Sequence, residues 1–153
     1  MDENVGTLLA QVSRLMRRSF DARAREIGVT RPQWQVISLL RLRPGCNQGA
    51  LAEMLEVEPI TVGRMIDRLQ DSALVERRAD PADRRAWRLH LTAKGEGLLE
   101  SLMPHAAETI DEAMEGMTGT DRQQFISMLV RMRSNLSRRS AAGLHMEGQA
   151  VNG

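Results

Sequence analysis

The chemistry available to this chain is concentrated in its arginines. Residues 77 to 88 hold five of them against two aspartates, around the run Asp80-Pro81-Ala82-Asp83-Arg84-Arg85. Just upstream, Thr61, Arg64 and Arg68 recur at three- and four-residue spacing opposite an apolar stripe of Val62, Met65, Ile66 and Leu69. A guanidinium is a permanently charged planar fork that meets a phosphate, or the O6/N7 edge of guanine, with two parallel hydrogen bonds. Arginines on one helix face can therefore grip a major groove. Arginines lifted on a hairpin loop can enter a minor groove, where narrow A·T-rich tracts concentrate negative potential. Asp83, two residues before Arg85, is close enough to hold its guanidinium in a fixed orientation. Two blander readings stand beside these: a helix face that is merely solvated, with Arg64 and Arg68 paired to Asp67, Asp71 or nothing, and a charged hairpin that keeps the chain soluble or protects a strand edge.

Other chemistries find little footing. The sequence has no Gly-rich phosphate loop, no Gly-x-Ser-x-Gly, no His-Glu-x-x-His and no Cys-x-x-Cys, so neither an enzyme nor a cofactor is expected. His90, His105 and His145 lie far apart on different elements, which argues against a metal site. Cys46 is the one cysteine, so an intrachain disulfide is excluded, and a reducing compartment fits. There is no long apolar run, and Asp2 and Glu3 at the N-terminus do not suit a signal peptide, so no membrane partner and a cytoplasmic location are expected. The net charge of +1 hides segregation: residues 93 to 117 carry Glu96, Glu100, Glu108, Asp111, Glu112 and Glu115 against Lys94 alone. Lys94 is the only lysine among 21 basic residues. That bias suits phosphate recognition, and a GC-rich genome would produce it equally well.

The elements that must position the arginines can be read from periodicity and caps. Val5, Leu8, Leu9, Val12, Leu15, Met16 and Ile27, with Phe20 close by, mark a long amphipathic helix that Gly28 ends. Thr30 and Gln33 form a capping box for a second helix to about Leu42, stopped by Pro44-Gly45. Asn47 caps a short helix through Leu55, and after a tight turn Pro59 opens another ending near Ser72. Two short helices joined in this way make a helix-turn-helix. The period then changes: Leu74 to Arg78, and Trp87, Leu89 and Leu91 alternating with Arg88 and His90, predict an antiparallel hairpin. Thr92 caps a helix carrying Leu98, Leu99, Leu102, Met103, Ala106, Ile110 and Met114. A last helix, opened by a Thr120 and Gln123 capping box, carries Phe125, Ile126, Met128, Leu129, Met132 and Leu136. The fold class is mainly α with a small β-hairpin wing. The long helices at both ends carry more apolar face than the central module can cover, which predicts a two-fold dimer.

The ordered set Leu51-Ala52-Glu53, Thr61-Val62-Gly63-Arg64, Asp67-Arg68-Leu69, Leu74-Val75-Glu76-Arg77, Asp80 to Arg85 and Leu91-Thr92-Ala93-Lys94-Gly95 resembles the MarR/SlyA family of bacterial regulators. With the order of helices on either side, the resemblance covers about residues 5 to 139. It implies one domain over 1–139, with a helical dimerisation region at 5–29 and 93–139 and a winged helix-turn-helix at 30–92 whose wing is 74–91. A flexible tail is expected at 140–153.

The resemblance further implies a homodimer that binds an inverted-repeat operator in double-stranded DNA. The helix from Pro59 and Ile60 onward would enter the major groove, with Thr61, Arg64 and Arg68 on it. The wing would enter the minor groove with Arg84 and Arg85, and Asp83 would orient Arg85. Asn47 and Gln48 would add phosphate or base-edge contacts. Many members are repressors released by small aromatic or phenolic anions, and Arg14, Arg17, Arg18 and Trp34 are the residues here that could hold one; the alternative is Trp34 in the core with solvated arginines. Relatives that sense oxidants use a cysteine in the first helix with tyrosines; this chain has no tyrosine, and Cys46 lies in a loop. Two alternatives remain open at this level: a ligand-independent anti-silencing DNA binder of the SlyA type, and a winged helix that binds protein, although an arginine-tipped wing favours nucleic acid.

Overall fold

The computed structural model describes residues 4–150, and their side chains as far as residue 139. The chain divides into two compact units, Met1–Ala113 and Met114–Gly153. The first contains helices α1 (Val5–Glu26), α2 (Arg31–Leu42), α3 (Gln48–Leu55) and α4 (Pro59–Asp71), strands β1 (Val75–Ala79) and β2 (Trp87–Leu91), and helix α5 (Ala93–Ala113). The second holds α6 (Gly119–Ala150).

The helix ends follow from local chemistry. Asn4 accepts from Thr7 N–H at the start of α1, and at its end Gly28 sits at φ 79° while Val29 and Gly28 donate to Ala24 and Arg25 carbonyls. That is the left-handed glycine stop expected from sequence. Gln33 Oε1 accepts from Thr30 N–H at 2.9 Å, closing the predicted box on α2, and Asn47 Oδ1 accepts from Ala50 N–H at 2.8 Å to cap α3. The tight turn before α4 puts Glu56 in the left-handed region at φ 55°, a place that glycine would fill without strain.

One buried cluster joins Val36, Ile37 and Leu40 of α2, Leu51 of α3, Val62, Ile66 and Leu69 of α4, Leu74, Val75 of β1, Leu89 of β2 and Leu99 of α5. The hairpin is thus welded to the helix-turn-helix at its base and free at its tip. β1 and β2 pair antiparallel from Val75 with Leu91 to Ala79 with Trp87. The far edge of β2 is also occupied: Leu89 N–H donates to Cys46 C=O at 3.0 Å, and Gly45 N–H donates to Leu89 C=O at 2.9 Å. A smaller cluster of Ala24, Val29 and Leu102, with Phe20 and Trp34 packed on it, ties α1 and α2 to α5.

One expectation is corrected at the C-terminal end. The capping box of α6 is Thr118 with Asp121, not Thr120 with Gln123: Asp121 Oδ2 accepts from Thr118 N–H at 2.9 Å and Thr118 Oγ1 accepts from Asp121 N–H at 3.2 Å. A carboxylate at the third helical position serves the box as well as an amide and also favours the positive end of the helix dipole. The helical main chain also continues past residue 139 to Ala150. The expected mobility of 140–153 concerns side chains and terminal residues that lie outside the described ones.

Candidate nucleic-acid interface

The helix that should read a groove is anchored through one face only. Val62, Ile66 and Leu69 are buried, whereas Pro59, Ile60, Thr61, Arg64 and Arg68 are all exposed. Neither Arg64 nor Arg68 has a carboxylate partner among the described residues. Asp67 is taken by another residue: Arg77 of β1 donates through Nη2 to Asp67 Oδ1 and through Nη1 to Gln70 Oε1, each at 2.6 Å. This clamp is the contact that joins the wing to the outer surface of α4. Sequence reasoning missed it, and its only trace was an arginine on the same strand face as the buried Val75.

The N-terminal side of α4 is held by α3. Gln48 Nε2 donates to Pro59 C=O at 3.2 Å, and the same amide packs over Gly63, where an added Cβ would stand 3.0 Å from it. Asn47 and Gln48, expected near phosphates or base edges, therefore each spend one side-chain function on the fold. Gln48 lies beside the start of the candidate reading helix, whereas Asn47 lines a groove with Cys46, Asp80 and Arg88.

The wing tip is built by its two aspartates. Asp80 Oδ1 accepts from Ala82 N–H at 2.9 Å, and its other oxygen pairs with Arg88 Nε at 3.2 Å. The Ala82 N–H, then Arg88, hold the Asp80 carboxyl below the usual carboxylate range. Asp83 Oδ1 accepts from the main-chain N–H of Arg85 at 2.9 Å. The expected grip of Asp83 on the Arg85 guanidinium is thus not the contact observed; a short side chain two residues ahead meets the main-chain N–H first, as in an Asx turn. The outcome for charge is that Arg84 and Arg85 project, exposed and without a carboxylate partner among the described residues.

The residues proposed for an effector separate. Trp34 belongs to the core beside Phe20, whose ring meets it edge-on at 4.9 Å, and its Nε1–H donates to Asp21 Oδ1 at 2.8 Å. Asp21 is only 8% exposed and also receives Arg31, with Nε at 2.7 Å. Burial alone would push this carboxyl up, but the hydrogen bonds from Arg31 and Trp34 outweigh it and leave it lowered. Arg14 and Arg17 stand exposed on α1. Arg18 alone lines a groove of about 740 Å³ between α1 and α5, with Val12, Leu15, Met16, Arg25 and Glu112. Burial pushes the Cys46 thiol up, away from the reactive thiolate. Among the described residues no His, Cys, Asp or Glu group could hold a metal, and no helix is long and apolar enough to cross a membrane.

Comparison with known proteins agrees with this geometry. The MarR family model matches residues 29–87, which span the helix-turn-helix and most of the wing. The crystal structure of MarR is 25% identical, with 92% of this chain and 95% of that chain covered, at a TM-score of 0.81. BpsR of Bordetella bronchiseptica, whose DNA binding is regulated by 6-hydroxynicotinic acid, is 27% identical over 86% of this chain and 99% of its own, at 0.70. A mutant MarR from E. coli complexed with operator DNA shares the fold, at 22% identity, 84% and 92% coverage and a TM-score of 0.69. Residues 29–87 thus match the MarR family model, and nearly the whole chain shares the fold of MarR-type transcriptional regulators.

Proposed function

We propose that the protein is a homodimeric repressor that reads an inverted-repeat operator, with α4 in the major groove and the wing tip in the flanking minor groove. The observation that carries this reading is the set of exposed arginines without carboxylate partners, Arg64 and Arg68 on α4 and Arg84 and Arg85 on the wing, held on two elements that Arg77 clamps together. Ile60, 69% exposed at the start of α4, would meet a thymine methyl, and Thr61 beside it a phosphate or base edge. Dimerisation is supported by the apolar side chains that α1, α5 and α6 leave in water, among them Val12, Leu15, Ile110, Phe125, Ile126 and Met128.

Relief by a small aromatic acid is supported by the apolar α1–α5 groove with Arg18 and Arg25 at its edge, and by the regulation of BpsR by such an acid. A cation at the rim of an apolar slot favours an aromatic carboxylate.

The test is an operator selected from random duplexes, followed by binding at several salt concentrations. A phosphate-held dimer loses affinity steeply with salt, and Arg85→Ala in both subunits lowers the log–log slope by about 2 if each wing arginine displaces about one counterion. Arg64→Ala shifts the recovered sequence instead. Equal affinity and slope for Arg85→Ala would refute the wing assignment, and sedimentation as a monomer at micromolar concentration would refute the dimer.

A further inference from the structure

Most large apolar side chains left exposed in this molecule lie on α1, α5 and α6; Leu42 and Val57 end a helix and a turn. Two are left over on the reading elements themselves. One is Ile60. The other is Trp87, 52% exposed at the outer end of β2, which neither the sequence motifs nor the arginine argument calls for. An exposed indole is a large, stiff apolar surface with one hydrogen-bond donor, and such a group is uncommon on a polar hairpin tip without a partner.

Its place on the ribbon is fixed by register. Directly paired residues of an antiparallel ladder share a face, so Trp87 with Ala79, Arg77 with Leu89 and Val75 with Leu91 stand on one side. That side faces α4: Leu89 is buried in the cluster containing Ile66, and Arg77 reaches Asp67 and Gln70. Trp87 is the next residue outward from Leu89 on this face, beyond the point where the core ends. It therefore lies between α4 and the arginines of the tip, and its Nε1–H has no acceptor among the described residues. In a duplex read by α4 in one groove and by the tip in the next, the element between the two grooves is a sugar–phosphate strand.

We propose that Trp87 is a DNA-contacting residue that packs its ring against the deoxyriboses of the strand between the two grooves and donates its indole N–H to a phosphate there. The contact is indifferent to base sequence and adds apolar area where the flanking arginines supply only charge. Trp87 in this role rests on the DNA-docking geometry proposed above.

The test uses the full-length protein and a fluorescein-labelled mixed-sequence duplex at low salt, with duplex anisotropy reporting binding and tryptophan emission reporting the contact. Trp87→Ala is expected to weaken binding about tenfold or more, as for a central aromatic anchor, with its circular dichroism melt unchanged. Trp87→Phe, which keeps a ring and loses the donor, should recover part of that loss. Tryptophan emission of the wild type should change on saturation with duplex, and that change should vanish in Trp87→Phe, where Trp34 is the only indole left. Since no cation is removed, the salt slope of both variants should match the wild type, unlike that of Arg85→Ala. Binding by Trp87→Ala within about twofold of the wild type, or wild-type emission that does not respond to saturating duplex, overturns the proposal. Flat anisotropy with the wild type would be a different failure, that of the DNA-docking geometry itself.

Discussion

Two glycines in the first turns of α5 should respond to alanine in opposite directions. Gly95 is buried where α5 crosses the entry to β1. A Cβ there would fall well inside the 3.0 Å limit from Leu74 C=O, and would stand 3.2 Å from the Leu74 carbonyl carbon and 3.4 Å from Leu91 Cδ2. The obstacle is main chain, and it is pinned: Leu74 C=O accepts from Thr92 N–H at 3.1 Å, Ala73 C=O from Thr92 Oγ1 at 2.6 Å, and Ser72 C=O from Lys94 Nζ at 2.9 Å. Relieving the clash means sliding α5 away from the strand entry, with strain of about 1–3 kcal/mol and weakening of one or two hydrogen bonds of about 1 kcal/mol each. Helix propensity returns about 1 kcal/mol, so Gly95→Ala should lose about 2–3 kcal/mol. Gly97, exposed with nothing within 4 Å of a built Cβ, receives only the propensity term, a gain of about 0.5–1 kcal/mol. At about 2–4 °C per kcal/mol for a chain of this size, Gly95→Ala should melt about 4–12 °C below the wild type and Gly97→Ala about 1–4 °C above it. Circular dichroism melts at equal protein concentration decide it, the concentration being fixed because association would itself raise Tm. A Gly95→Ala protein that melts at or above the wild type would refute the claim that α5 and the wing base meet main chain to main chain.

The remaining predictions concern the clamp, the buried carboxylate and the turn. Arg77→Met should change stability by less than about 1 kcal/mol, because Asp67 is largely solvated, yet weaken operator binding with no change in salt slope; a slope reduced like that of Arg85→Ala would make Arg77 a phosphate contact instead. Asp21→Ala strands the Trp34 N–H and should lose about 1–3 kcal/mol in urea melts at neutral pH. Because the Asp21 carboxyl is lowered in the fold, its charge-dependent contribution is present above the unfolded value near about 4 and lost as pH falls through the folded value, so the gap to wild type should narrow on acidification; a gap that widens would reverse the sign. Glu56→Gly should raise stability by about 0.5–1 kcal/mol by removing a side chain from the left-handed turn, measured as a shift in denaturant midpoint with unchanged slope.

What could be read in advance was set by short-range chemistry. The boundaries of α2 and α3 followed from Thr30, Gln33 and Asn47 because a cap is complete within three residues of its helix. The reading of α6 failed at the same level, since Thr118 and Asp121 offered as good a box as Thr120 and Gln123, and the glycine between them suggested a break rather than a start. For the site, periodicity placed Arg64 and Arg68 on the open face of α4. Partner choice was not legible. Arg77 reaches across ten positions to Asp67, and which of several nearby carboxylates a long guanidinium finds depends on how β1 lies against α4. Trp34 shows the same limit: as a residue type it suited either a pocket wall or the core, and its partner Asp21 lies thirteen positions away on the neighbouring helix.

Pairing also explains how a chain of net charge +1 can present a basic surface. In the winged module Arg31, Arg41, Arg77, Arg78 and Arg88 are each matched by a carboxylate: Asp21, Glu96, Asp67, Glu76 and Asp80 in turn. Those acids cancel cations that already serve the fold, and so subtract little from the field felt by a duplex. Arg64, Arg68, Arg84 and Arg85 have no carboxylate partner among the described residues and outnumber Asp71 and Asp83, the acids without a cation partner on the same two elements. A polyanion within about 10 Å at physiological salt responds to that local excess rather than to the sum over the chain. The matched aspartates of the wing have a second effect, since Asp80 and Asp83 hold the loop main chain in shape while taking no share of the Arg84 or Arg85 charge. Replacing Asp83 by Asn should therefore preserve operator affinity, because an amide oxygen can still accept from Arg85 N–H, whereas a carboxylate that steered the guanidinium could not be replaced so cheaply. Anisotropy titrations of Asp83→Asn and Asp83→Ala separate the two roles: loss in Ala alone marks a loop former, and equal loss in both would mark a charge partner of Arg85.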